Sequence, residues 1–167
     1  RLWHVANELG CHNGKCWCDV SAAAFRAWLS RRYGDIETLN DAWGTAFWSQ
    51  RYTAWDDVLP PRRTPSFSNP THVLDYHRFG SDTLLAFYRD EYAVIRRHSP
   101  TVPVTTNFMT LSGFRLLDYH DWAPHQDVVS TDHYVVDSLP HPRAELSFHG
   151  DLTRGLAGGR PWMLMEH

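Results

Sequence analysis

Two short apolar runs, one near each end of the chain, stop at a glutamate: Leu2-Trp3-His4-Val5-Ala6-Asn7-Glu8 and Pro161-Trp162-Met163-Leu164-Met165-Glu166. A run of this length bounded by polar residues suits a strand buried on both faces, as in a parallel sheet covered by helices. A carboxylate at its last position then sits where the strand leaves the core. In a barrel of parallel strands alternating with helices, that end is where reactive side chains collect.

Between the two runs the pattern alternates. A loop over residues 9–19 leads into a helix capped by Asp19 or Ser21, with Phe25, Trp28, Leu29 and Tyr33 at helical spacing and Gly34 as its stop. A shorter helix is expected from the cap Asp35 through Ile36, Leu39 and Trp43 to Gly44. Residues 45–68 are long and irregular, with Phe47, Trp48, Tyr52 and Trp55 followed by Pro60, Pro61 and Pro65, a composition that fits a functional loop or a packed cover. Asn69-Pro70 opens a helix to His98, whose buried stripe is expected to be Val73, Leu74, Leu84, Phe87, Tyr88, Val94 and Ile95. Residues 103–108 read as the next strand, 116–123 as a short helix or turn, 127–132 as a third strand, 143–156 as a helix broken by Gly158-Gly159, and 162–166 as a fourth strand.

Strand, helices, strand, helix, strand, helix, strand implies parallel strands joined by right-handed crossovers. The expected fold class is α/β: about four parallel strands alternating with helices, a partial (β/α)8 TIM barrel. Residues 1–167 are expected to be a fragment of a single catalytic barrel domain, because the chain begins without methionine directly in one strand and closes on another. A doubly wound open sheet is the other arrangement of such elements, but no glycine-rich phosphate loop follows any strand.

Charge and composition exclude several roles. The formal net charge is −3 and the basic residues are scattered, which leaves no electrostatic footprint for nucleic acid or an anionic membrane. No apolar run reaches the length of a membrane span, and the N-terminus has no signal-peptide pattern. Eight tryptophans favour carbohydrate handling, since indole faces stack on the apolar faces of sugars, although the same rings serve as core. Cys11, Cys16 and Cys18 are an odd, local set rather than a disulfide framework, so a reducing, cytoplasmic compartment is expected.

Two glutamates on two strand ends of one barrel are the equipment of a glycosidase. One carboxyl gives its proton to the departing glycosidic oxygen while the other attacks or stabilises the anomeric carbon as positive charge develops. Asn107 and Tyr134 sit at or just past strand ends and are placed to reach the same pocket; Asn107 has the alternative of capping a helix. Asp132 reads as a structural partner of a neighbouring arginine.

The residues then carry a resemblance. Asn7-Glu8-Leu9-Gly10-Cys11-His12, Ala24-Phe25-Arg26-Ala27-Trp28-Leu29, Tyr33-Gly34, Leu39-Asn40-Asp41-Ala42-Trp43-Gly44-Thr45-Ala46-Phe47-Trp48, Leu74-Asp75-Tyr76, Thr105-Thr106-Asn107-Phe108-Met109 and Leu164-Met165-Glu166 follow one another as in glycoside hydrolase family 42. The chain closely resembles those β-galactosidases, over about strands 4 to 7 of their catalytic barrel. The resemblance implies retaining hydrolysis of β-galactosides without a required cofactor, with Glu8 as general acid/base and Glu166 as nucleophile. It also implies that Asn7 holds the sugar 2-hydroxyl, that Trp48 offers a stacking face, and that the intact protein is a homotrimer. A related barrel glycosidase of other sugar specificity and a non-catalytic carbohydrate-binding protein are the alternatives.

Some members of that family hold a structural zinc through a Cys-x-Cys-x-x-Cys stretch and an upstream cysteine. Here Cys16-Trp17-Cys18-Asp19-Val20-Ser21 ends in serine, and losing one thiolate is a serious deficit for a tetrahedral site. Cys11 and His12 are the substitutes on offer. Three small reduced thiols without metal are the expectation.

Overall fold

The computed structural model describes residues 1–11, 15–110, 117–138 and 140–167, with the Trp48 side chain left out. The chain divides into two compact units, Lys15–Gly80 and a second made of Arg1–Gly14 with Ser81–His167.

In the Lys15–Gly80 unit, α1 (Asp19–Tyr33) and α2 (Ile36–Trp43) end where the sequence marks them, at Gly34 and Gly44. Gly44 has φ 61°, a left-handed conformation in which its N–H reaches back to Asn40 and Asp41 carbonyls. Asp35 caps α2 by accepting from Thr38 N–H at 2.8 Å. The cap of α1 is Cys18, not Asp19 or Ser21: its sulfur accepts from Ser21 N–H, and Asp19 begins the first turn. The irregular stretch that follows contains two 3-10 turns, Phe47–Ser49 and Trp55–Asp57. Asn69 opens α3 (Pro70–His98) by accepting from the N–H groups of Thr71 and His72 at 3.0 and 3.2 Å. Phe25, Leu29, Leu39, Trp43, Val58, Tyr76 and Phe79 form the core of this unit. Beside it Asp75, fully buried, accepts from Trp43 Nε1 at 2.9 Å and from the Tyr33 hydroxyl at 2.5 Å, and pairs with Arg78 at 3.0 Å.

The other unit holds the strands found among the described residues: β1 (Trp3–His4), β2 (Val104–Thr105), β3 (Asn107–Phe108), β4 (Ser130–Asp132) and β5 (Met163–Glu166). Every pairing is parallel: β1 with β2, β3 with β4, and β4 with β5. The strand expected over 103–108 is therefore two segments separated by Thr106, whose hydroxyl donates to the Ala6 carbonyl at 3.1 Å. One half pairs with β1 and the other with β4, and among the described residues neither half is paired on both sides. Between strands lie α4 (Tyr119–Trp122), capped by Asp118, and α5 (Pro142–Leu156), which is followed by Gly158 and Gly159 at positive φ. Leu116, expected to start the α4 segment, lies outside the described residues. Val5, Tyr88, Val104, Phe108, Trp122, Ala123, Val129, Leu156 and Ala157 make the core. Parallel strands alternating with helices make the chain α/β, a partial (β/α)8 barrel.

The expected stripe of α3 needs correction. Tyr88 is buried as expected, but Leu74, Phe87 and Val94 are exposed, and Tyr76 and Phe79, outside the expected stripe, are buried. One helix of 29 residues contributes Tyr76 and Phe79 to one core, and Leu84, Tyr88, Tyr92 and Ile95 to the other. A single stripe drawn along its whole length cannot describe two separate contacts. Among the described residues, no helix is long and apolar enough to cross a membrane.

Candidate active site

Glu8 follows β1 through a kinked segment. Ala6 and Glu8 have φ of 50° and 46°, left-handed values that cost a non-glycine residue energy and persist only where the surroundings enforce them. The enforcing contacts are visible. Val5 N–H donates to the Thr105 carbonyl at 2.9 Å, Cys11 N–H to the Glu8 carbonyl at 2.9 Å, and Glu8 N–H to Asn107 Oδ1 at 2.9 Å. The strand end thus continues as a turn that hangs on Asn107.

Asn107, the first residue of β3, is buried and central. Because Glu8 N–H can only donate, Asn107 Oδ1 faces it, and the Asn107 amide nitrogen must face the other way. That nitrogen donates to Asn7 Oδ1 at 3.0 Å and to Asp132 Oδ2 at 2.5 Å, and approaches Glu166 Oε1 at 3.5 Å. His4 Nε2 lies 2.9 Å from Asn107 Oδ1, a second partner for that oxygen. One amide therefore ties the backbone of one glutamate to the side chains of Asp132 and Glu166.

Glu166 closes β5. A register shift between Thr131 and Asp132 sets Asp132 opposite Glu166, the kind of local irregularity that re-aims side chains at the rim of a barrel. One carboxylate oxygen from each of Glu8, Asp132 and Glu166 lies within 4.8 Å of the others. The Tyr134 hydroxyl donates to Glu166 Oε2. That bond, helped by some loss of solvation and by the surrounding carboxylates, pushes the phenol up to about 12, so Tyr134 remains a donor across the neutral range.

Asp132 is only 4% exposed, and its Oδ1 has no hydrogen-bond partner among the described residues. Burial is the main cause that pushes its carboxyl up to about 6; the charges of Glu166 and Glu8 add to it, while the Asn107 bond and His4 oppose it. The expected arginine partner is replaced by this arrangement: Asp132 belongs to the carboxylate group, held by Asn107. Its position at a strand end, like that of Glu166, was the signal available in the sequence. His4, one residue short of the apolar Val5, carried no such signal.

The structure thus brings together Asn7, Glu8, Asn107, Tyr134 and Glu166, and adds Asp132 and His4. Trp48 lies in the Phe47–Ser49 turn of the Lys15–Gly80 unit, and its side chain is outside the described residues. Among the described residues the cysteines are not part of any group of three metal-ligating side chains. Cys11 is buried, and its thiol is pushed up by that burial and then by the adjacent Glu8, to which it hydrogen-bonds. Cys16 and Cys18 are exposed with sulfurs 3.2 Å apart, and the third position of their pattern is the Ser21 hydroxyl, 3.6 Å from Cys18. His12 lies outside the described residues. Two thiols and a hydroxyl fall short of the four nitrogen or sulfur ligands that structural zinc takes.

Comparison with known proteins agrees with this architecture. The profile of the glycoside hydrolase 42 family, described as beta-galactosidase, matches residues 1–167. A beta-galactosidase of an Arthrobacter species is 53% identical over 166 residues, which cover 99% of this chain and 24% of the relative. BgaB of Geobacillus kaustophilus is 45% identical over 170 residues, with the same 99% and 24% coverage. Among solved structures, the beta-galactosidase of Bacillus circulans sp. alkalophilus superposes with a TM-score of 0.87 at 40% identity, covering 99% of this chain and 24% of that one. The enzyme of the haloarchaeon Halorubrum lacusprofundi gives 0.88 at 37% identity, covering 98% and 26%. The chain spans about a quarter of the length of the curated relatives it matches. With the profile matched from the first residue to the last, this chain belongs to glycoside hydrolase family 42.

Proposed function

We propose that residues 1–167 are part of the single catalytic barrel domain of a retaining β-galactosidase, which hydrolyses terminal non-reducing β-D-galactosides through a covalent galactosyl-enzyme. The observation that carries this reading is the separation of Glu8 and Glu166: one oxygen of each lies within 4.8 Å of the other. Retaining enzymes keep their two carboxyls about 5–5.5 Å apart so that one of them can reach the anomeric carbon, whereas inverting enzymes leave about 6.5–9.5 Å for a water.

In the first step the Glu166 carboxylate attacks the anomeric carbon and Glu8 protonates the departing oxygen. In the second, Glu8 takes a proton from water, the resulting hydroxide attacks the anomeric carbon, and Glu166 leaves with its electron pair. Tyr134 donates to Glu166 and fixes its orientation, and Asn7, held by Asn107, takes the sugar 2-hydroxyl. That Trp48 offers the sugar a stacking face rests on the family relationship. The family relationship supports galactose as the sugar.

The test is hydrolysis of a panel of aryl glycosides by the intact protein, with proton NMR of the first-formed sugar. Turnover of the aryl β-galactoside with β-galactose appearing first supports the reading. Preference for another glycoside overturns the sugar assignment, and α-galactose appearing first overturns the retaining mechanism.

A further inference from the structure

Nothing in the proposed hydrolysis uses Cys16 and Cys18, yet their sulfurs lie 3.2 Å apart on the surface of the Lys15–Gly80 unit. The tripeptide that carries them is anchored. The Trp17 indole N–H donates to the Pro61 carbonyl at 2.9 Å, its ring packs on Tyr76 at 6.2 Å, and the Tyr76 hydroxyl donates to the Cys16 carbonyl. With the intervening tryptophan pinned, both thiols are held close together and open to solvent. The two sulfurs are not equivalent. Cys18 caps α1, where its sulfur accepts from Ser21 N–H at 3.5 Å and from the Cys16 thiol. A sulfur receiving two donors at the positive end of a helix carries negative charge better than a free thiol, and the thiolate is the reactive form. Cys16 is the donor and stands within reach of the Cys18 sulfur. With Ser21 at the third position, the pair and its described neighbour offer two thiols and a hydroxyl, short of the four nitrogen or sulfur ligands that structural zinc takes.

We propose that Cys16 and Cys18 form a thiol–disulfide exchange site for small organic disulfides, with Cys18 as the attacking sulfur and Cys16 as the resolving one. The Cys18 thiolate attacks one sulfur of the incoming disulfide and expels the other half as a thiolate, leaving a mixed disulfide on Cys18. Cys16 then loses its proton to the solvent and attacks Cys18 Sγ. This closes the Cys16–Cys18 bond and expels the second half as a thiolate. The protein dithiol gives up two electrons and two protons, and the small disulfide takes up both and leaves as two thiols.

The experiment treats the reduced intact protein with oxidised glutathione, blocks the remaining thiols and maps the peptides by mass spectrometry, with zinc content measured beforehand. The wild type is expected to yield a peptide joined internally at Cys16–Cys18, lighter by two hydrogens and restored by dithiothreitol. Cys16→Ser is expected to stop at a mixed disulfide on Cys18, and Cys18→Ser to react about tenfold more slowly at Cys16. Circular dichroism of both variants checks that they are folded. Three results overturn the proposal: both thiols of the folded wild type remaining free, adducts accumulating on Cys16 without closure, or stoichiometric zinc that shields both thiols until it is chelated.

Discussion

Asn107 and Asp132 are joined by a 2.5 Å hydrogen bond from the amide nitrogen of the first to Oδ2 of the second. The same amide takes the backbone N–H of Glu8 on its oxygen. Asn107 therefore links Glu8 to Asp132 and Glu166, and the nitrogen it offers has more oxygens facing it than hydrogens to give. Asn7 and Asp132, at 3.0 and 2.5 Å, take the two hydrogens, which leaves Glu166 at 3.5 Å as the loosest of the three.

Truncating that hub should loosen the pair. In the intact protein Asn107→Ala is expected to lower kcat/KM for an aryl β-galactoside by about ten- to hundredfold, since a hydrogen bond to a charged group contributes about 1.5–3 kcal/mol. Steady-state kinetics on the folded variant measure it. A loss of less than twofold would show that the Glu8 turn holds itself.

The raised carboxyl of Asp132 predicts a pH dependence of stability. Its ordinary value is 3.8 and its folded value about 6. Between the two, the folded protein keeps a proton that the unfolded chain releases. The stabilisation is therefore complete below the lower value and is lost as pH rises through the upper one. Asp132→Asn, which cannot ionise, should gain Tm relative to wild type as pH rises across that interval. Thermal melts at several pH values test this; a constant difference would mean that Asp132 ionises freely in the folded protein.

Protonation by Glu8 matters most when the leaving group is basic. Glu8→Gln is expected to slow hydrolysis of lactose-like substrates by about 10²–10⁴-fold, and to slow the first step with a nitrophenyl galactoside far less. Pre-steady-state kinetics with the two substrate types separate the steps. Equal losses for both would remove Glu8 from the acid role.

Asp75 is a stability residue remote in sequence from either glutamate. Asp75→Ala strands the Trp43 indole N–H and the Tyr33 hydroxyl, each at about 1–3 kcal/mol for an unmet buried donor. Urea unfolding should show a lower midpoint, with Asp75→Asn recovering part of the loss because it still accepts.

The 167-residue chain by itself is expected to show no turnover. Among the described residues β1 and β5 each pair on one side only, and an unpaired strand edge invites association with other chains. Activity assays and light scattering on the purified piece check both expectations, and turnover comparable to that of the intact protein would refute the first.

The sequence by itself determined what depends on near neighbours. Asp35 and Gly44 delimit α2, and Asn69-Pro70 starts α3, because caps, fixed φ and positive φ act within a few residues. The alternation of strands and helices and the glutamates that end the first and last runs were legible for the same reason. Tertiary structure alone decided the rest. Asp132 looked like a partner for arginine until β4 and β5 paired in a shifted register and set it beside Glu166. Asn107 could have capped a helix; what made it the hub was Glu8 N–H, 99 residues away in sequence, arriving at its carbonyl oxygen. The strand over 103–108 divides because its two halves meet different neighbours, and the buried stripe of α3 departs from the expected one because one helix serves two cores. Hydrogen-bond partners and burial are set by what lies across the fold, and no local pattern of residue types records that.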